Sequence, residues 1–133
     1  MEYEVEIFQT QSHAGKPVYH TDCVMWIGTT LAGVCSDNIV EEDRARVLAR
    51  LKKPHKIVEF DTEQLQAMCG NALEVIGESG LRCLAMSSGA HAALREDQHA
   101  LIHQHFDDFI LAPLDTLEKY GGGSARCMLM ELF

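Results

Sequence analysis

The residues with the most chemistry in them stand near the two ends of the chain. Cys127 follows a glycine run, Gly121-Gly122-Gly123-Ser124-Ala125-Arg126-Cys127-Met128. Three consecutive glycines carry a large backbone entropy cost. Such a run points to backbone that takes unusual dihedrals or lets a ligand come close. A thiol just beyond it, at the start of a strand, is placed to be accessible, and Arg126 nearby would favour the thiolate. The blander alternative is a flexible turn before an edge strand, with Cys127 buried. At the other end stands His20-Thr21-Asp22. The apolar, β-branched stretch around it, Val18 to Ile27, reads as a strand. Residues i and i+2 of a strand share a face, so His20 and Asp22 would project together. An imidazole beside a carboxylate suits acid–base work; alone, the pair also fits a surface strand with a satisfied histidine. The two features gain weight together. A cysteine nucleophile needs a histidine to activate it and to protonate the leaving group. The partners can be distant in sequence and close in the fold; His20 and Cys127 are 107 residues apart.

The other candidates are weaker. His99 and His103 lie at i and i+4 on an expected helix, a conceivable metal pair. No neighbouring Cys or carboxylate completes a motif, so they read as a solvated face. His13, His55 and His91 read as loop or helix-end residues. The cysteines are five, Cys23, Cys35, Cys69, Cys83 and Cys127, with no C-x-x-C pair. An odd count without zinc-finger spacing fits a reduced protein whose other thiols are small buried hydrophobes.

The elements that must position these residues belong to one domain, residues 1–133. At 133 residues, 47% apolar and 23% charged, the chain can bury a core without disulfide staples. No apolar run approaches the roughly 18–20 residues of a membrane span. The acidic, alternating N-terminus is unlike a secretory signal, and a cytoplasmic protein is expected. The formal charge of −9 disfavours nucleic acid and anionic lipid as partners. Residues 2 to 9 alternate Glu2, Glu4, Glu6 with Tyr3, Val5, Ile7, a strand period. Strands are also expected at Leu31–Cys35, Lys56–Phe60, Phe109–Ala112 and Cys127–Phe133, with a hairpin of Ala72–Ile76 and Leu81–Met86. Glu41–Leu51 and Arg95–His105 read as helices. Asp61 or Thr62 caps a short helix reaching Met68, Ser87 or Ser88 caps another helical region, and Asp115–Tyr120 is a helical turn. This order nearly repeats. Strand, Ser, helix, strand, Asp-Thr, short helix and Gly turn occur twice, with Cys35 and Cys83 separated by 48 residues and the two Asp-Thr pairs by 54. A ββαβ unit used about twice favours a toroidal or propeller-like α/β array over a doubly wound sheet. No nucleotide-binding glycine motif argues otherwise.

Val18-Tyr19-His20-Thr21-Asp22, Cys69-Gly70-Asn71 and Gly121 to Met128 together resemble the guanidino-group-modifying superfamily. Its members are the arginine deiminases, amidinotransferases, dimethylarginine hydrolases and citrulline-hydrolysing relatives, and the nearest likeness is to the amidinotransferase-like branch with citrulline ureidases. The resemblance runs from about Val18 to the C-terminus. It implies a pentein-type α/β propeller of about five ββαβ units, of which this chain would form about half, the C-terminal half. It implies Cys127 as the nucleophile on a guanidinium or ureido carbon and His20 as the acid/base. Asp22 is implied as the carboxylate that pairs with the substrate's planar nitrogens, a geometry suited to a guanidinium fork. Ser124, Arg126 and Asn71 shape the pocket without assigned roles. The implied reaction breaks a C–N bond of an arginine-, agmatine- or citrulline-like compound through a covalent thiol intermediate, with no metal or cofactor. Family enzymes are about twice this length, and their first half supplies a further Glu and Asp. A second copy or a partner chain would then complete the propeller, since an open sheet edge invites association. The alternative is a catalytically silent truncated homologue that binds ligands or proteins.

Overall fold

Two small sheets carry the same strand order and the same sequence of connections. The computed structural model describes residues 4–12 and 14–130. The chain enters the first unit through a single helical turn, α1 (Thr21–Val24), which runs directly into β1 (Met25–Ile27). β1 pairs antiparallel with β2 (Leu31–Val34). The helix α2 (Glu41–Leu51) then carries the chain to β3 (Lys56–Glu59), parallel to β2. A short helix, α3 (Thr62–Gln66), follows. The second unit starts with the hairpin β4 (Leu73–Ile76) and β5 (Arg82–Ser87). The crossover is made by α4 (Ser88–Ala92) and α5 (Glu96–His103), and β6 (Asp108–Ala112) pairs parallel to β5. It too is followed by a short helix, α6 (Asp115–Gly121), and then by a last turn, α7 (Ala125–Met128). The sheets are ordered β1-β2-β3 and β4-β5-β6. The repeated ββαβ-like unit expected from sequence is therefore present in a mixed α/β fold.

Local chemistry explains most of the boundaries. α2 places Glu41, Glu42 and Asp43 in its first turn, where carboxylates oppose the positive end of the helix dipole. Its Val47 and Leu51 are buried. Asp61 caps α3 in a capping box with Gln64, and Ser87 caps α4 through the Ala90 amide at 3.0 Å. β2 is buried along its whole length and β5 over its last four residues. Leu31, Val34 and Val58 of the first unit share one core cluster with Leu84, Met86 and Ile102 of the second. Polar contacts tie the units as well. The Glu74 carboxylate accepts from the Thr29 amide at 2.6 Å and its hydroxyl at 2.7 Å. The buried Gln64 and Gln98 side chains bond each other at 2.7 Å. No helix among the described residues is long and apolar enough to cross a membrane.

Three expected strands differ. Residues 4–9 form none, only Thr10 bridging Ile39; residues 2 and 3 lie outside the described residues. The alternation there serves ion pairs instead: Glu4 meets Arg50 and Glu6 meets Arg46, both on α2. Val5 and Ile7 stay exposed. The segment Val18–Ile27 is strand only from Met25; before that it coils into α1. Gly70 packs so tightly on the Cys23 carbonyl that a side chain there has no room, and this close approach overrides β-propensity. His20 and Asp22 therefore do not share a strand face. Finally, Cys127 sits in the helical turn α7 rather than at the start of a strand. Residues 131–133 of that expected strand lie outside the described residues.

Candidate active site

The turn after α3 holds the site together. Met68 takes a left-handed backbone (φ 63°), and the Asn71 amide bonds the Met68 carbonyl at 2.9 Å. This turns the Asn71 side chain inward, where it is fully buried. Asn71 Oδ1 accepts from the backbone N–H of Ser124 (3.2 Å) and of Cys127 (3.4 Å). Those are the N-cap and N3 positions of α7, whose own N-cap side chain makes no capping bond. Asn71 thus caps α7 from a distance. On the other side, Asn71 Nδ2 donates to the Asp22 carbonyl at 2.8 Å and to Cys127 Sγ at 3.1 Å. One buried amide joins the turns that begin and end the site.

Cys127 is exposed, and its thiol donates to Asp22 Oδ2 at 3.6 Å. The glycine run closes over it. Gly122 ends α6 in the left-handed region (φ 71°), and Gly123 packs directly on the Cys127 side chain. Ser124, fully buried, donates from its hydroxyl to Glu118 Oε1 at 2.6 Å, which ties the run to α6. Cys23, half-buried, faces the same sulfur. Its pKa is pushed up to about 11 by burial, then by the neighbouring Asp22 and Cys127. Burial also pushes up Cys69, to about 12, and Cys35 further still. These three thiols stay protonated at neutral pH.

The structure brings Cys127 and Asp22 together. His20 precedes α1 and is exposed. It lines a recess of about 320 Å³ with Tyr19, Cys23 and Gly122. Among the described residues no hydrogen bond joins its ring to Cys127 or Asp22. Arg126 does not reach the sulfur; its guanidinium bonds the Leu129 carbonyl at 3.2 Å. Asp22, Cys23 and Cys127 offer donor atoms within 4.8 Å of one another, and among the described residues they are the one group of three that could share a metal ion. The histidines expected to form a solvated face, His99 and His103, pack edge-on against Phe109, and His91 does the same.

Residues 1–133 match the family model described as N,N dimethylarginine dimethylhydrolase, eukaryotic. The chain belongs to the N,N dimethylarginine dimethylhydrolase family. No curated protein matches it. This dimethylarginine dimethylhydrolase family is one of the guanidino-modifying groups that the His20 and Cys127 motifs resemble, and a guanidino compound is its substrate class. Sequence reasoning left Asn71 and Cys23 without roles. The signal for Asn71 was present as the Cys69-Gly70-Asn71 turn. Its partners at residues 22 and 127 were not visible from local spacing.

Proposed function

We propose that the protein hydrolyses a C–N bond of a methylated arginine, or a related guanidino or ureido compound, with Cys127 as nucleophile. The observation that carries this reading is the exposed Cys127 thiol, set between the Asp22 carboxylate and the buried Asn71 amide. Asp22 would pair with two nitrogens of the planar substrate. A guanidinium seated there brings positive charge next to the sulfur, so the thiolate forms against a cation and not against a bare carboxylate. Sγ attacks the guanidinium carbon, and His20 gives a proton to the departing amine. Water then adds to the thiouronium carbon, His20 takes its proton, and the carbon–sulfur bond breaks to return the thiolate and release a ureido product. The recess that His20 shares with Cys23 and Gly122 supports its part in this scheme.

The two ββαβ units are, in this reading, part of a five-unit pentein propeller. The remaining units would pack against these two. Ile76 and Ile110, on the outer strands of the second sheet, and Ile27 on β1 are exposed and available for such contact.

The test is product release from arginine, agmatine, citrulline and methylarginines. Turnover should vanish in Cys127→Ala and fall by about 10²–10⁴-fold in His20→Ala. Asp22→Asn should weaken substrate binding. A folded protein that releases nothing from any of these substrates would overturn the hydrolase reading and favour the silent, ligand-binding homologue.

A further inference from the structure

We propose that Asn71 positions Cys127 and holds the charge on its sulfur through the reaction, a role that rests on Cys127 being the nucleophile. An amide side chain offers two N–H donors and two acceptor lone pairs. In Asn71 these hydrogen bonds all go to the two site segments: Asp22 carbonyl and Cys127 Sγ from Nδ2, Ser124 and Cys127 N–H to Oδ1. The amide orientation is set by chemistry. Two backbone N–H groups can only face an acceptor, so Oδ1 points to α7 and Nδ2 is left toward the sulfur. Asn71 is itself fully buried, so its donor competes less with water than an exposed one would, and it is stronger again toward an anion.

The donor matters twice. Before attack it stabilises the thiolate. In the last step the carbon–sulfur bond breaks and the electron pair returns to sulfur, where Nδ2–H receives the charge. The other titratable and charged groups near the sulfur do less. Asp22 is a carboxylate, the Cys23 thiol is a weaker donor than an amide N–H, and the His20 ring makes no hydrogen bond to the sulfur among the described residues. Arg126 is turned to Leu129, and Glu118 of α6 is engaged by Ser124.

The variant Asn71→Asp keeps the cap on α7 and reverses the charge at sulfur, at the cost of the bond to the Asp22 carbonyl. Its carboxylate keeps both acceptors for α7 and replaces the donor facing sulfur by an anion. The measurement is the rate of iodoacetamide labelling at Cys127 against pH, read site by site by mass spectrometry, with Cys83 on β5 as internal reference. Expected is a shift of the Cys127 midpoint to higher pH by about one unit or more, or about tenfold slower labelling at pH 7. An unchanged midpoint in a folded variant overturns the proposal. Should the variant fail to fold, the wild-type protein still answers by NMR. The side-chain amide signal of Asn71 should move with the labelling midpoint of Cys127 and stop doing so in Cys127→Ala; a signal that stays still overturns the proposal. Neither readout needs turnover. A shifted midpoint without hydrolysis supports the Asn71–sulfur contact and counts against the hydrolase reading. Hydrolysis with an unmoved midpoint sinks the Asn71 role alone.

Discussion

Gly123→Ala tests how closely the glycine run is fitted to the thiol. A Cβ at residue 123 would stand 2.9 Å from Cys127 Sγ and 3.0 Å from Cys127 Cβ, where ordinary contact begins at 3.4 Å. The sulfur could turn away about χ1, but the Cβ is fixed by its backbone, so α7 itself must move. Gly123 has no positive φ, so space alone decides the outcome. Relief needs about 0.4–0.5 Å. The Asn71–Cys127 amide bond, already 3.4 Å, would stretch beyond useful length, and the Asn71–Sγ bond of 3.1 Å would weaken. A misplacement of about 1 Å costs on the order of 100-fold in rate, so about half of that should cost on the order of tenfold, or about 1.4 kcal/mol of barrier. Two assays apply: hydrolysis of a dimethylarginine, and iodoacetamide labelling of Cys127, which needs no turnover. Gly121→Ala is the control, since nothing lies within 4 Å of a Cβ there; it should stay near wild type. If Gly123→Ala labels and turns over within about twofold of the parent, the tight packing of the run on Cys127 has no functional meaning and the reasoning fails.

Two further outcomes follow from the fold. Gly33→Ala pushes a methyl into the Trp26 ring and to 2.7 Å from the Phe60 ring; it should destabilise by about 1–3 kcal/mol or more, read by urea unfolding through the single tryptophan, and an unmoved midpoint would refute the packing. The burial-raised thiols Cys23, Cys35 and Cys69 ionise well above the ordinary value of 9.0. The unfolded chain therefore loses those protons first, so stability holds below about pH 9 and falls as pH rises toward 11; urea midpoints between pH 8 and pH 10.5 check this, and Cys35→Ala should flatten part of the slope.

The fold was legible where short-range chemistry decides it. The α2 stripe, the Asp61 and Ser87 caps and the β4–β5 hairpin all announce themselves within a few residues. The repeat of strand, helix and strand was visible for the same reason. What misled was alternation without a sheet. Glu4 and Glu6 alternate because α2 arginines line one side of them, and no pattern within residues 2–9 distinguishes that from a strand. Of the candidate site, two residues singled out by type, Cys127 and Asp22, do meet. The supposed reason, a shared strand face for His20 and Asp22, was wrong. The turn α1 forms where Asn71, 49 residues later, bonds the Asp22 carbonyl and Gly70 packs closely on the Cys23 carbonyl. Likewise the turn at Cys127 forms because Asn71 caps it. Local propensity cannot report a cap supplied from the middle of the chain.

The same buried amide has a kinetic meaning. Its bonds span 49 residues in one direction and 53 to 56 in the other. Contacts of such separation must await the closure of long loops, and they reward that closure late. The hairpin and α2 can form early from neighbours in sequence. The thiol is held only once both ends of the chain have found the middle. Assembly of the candidate site thereby reports completion of the fold, and a partly folded chain presents Cys127 as an ordinary unsupported cysteine.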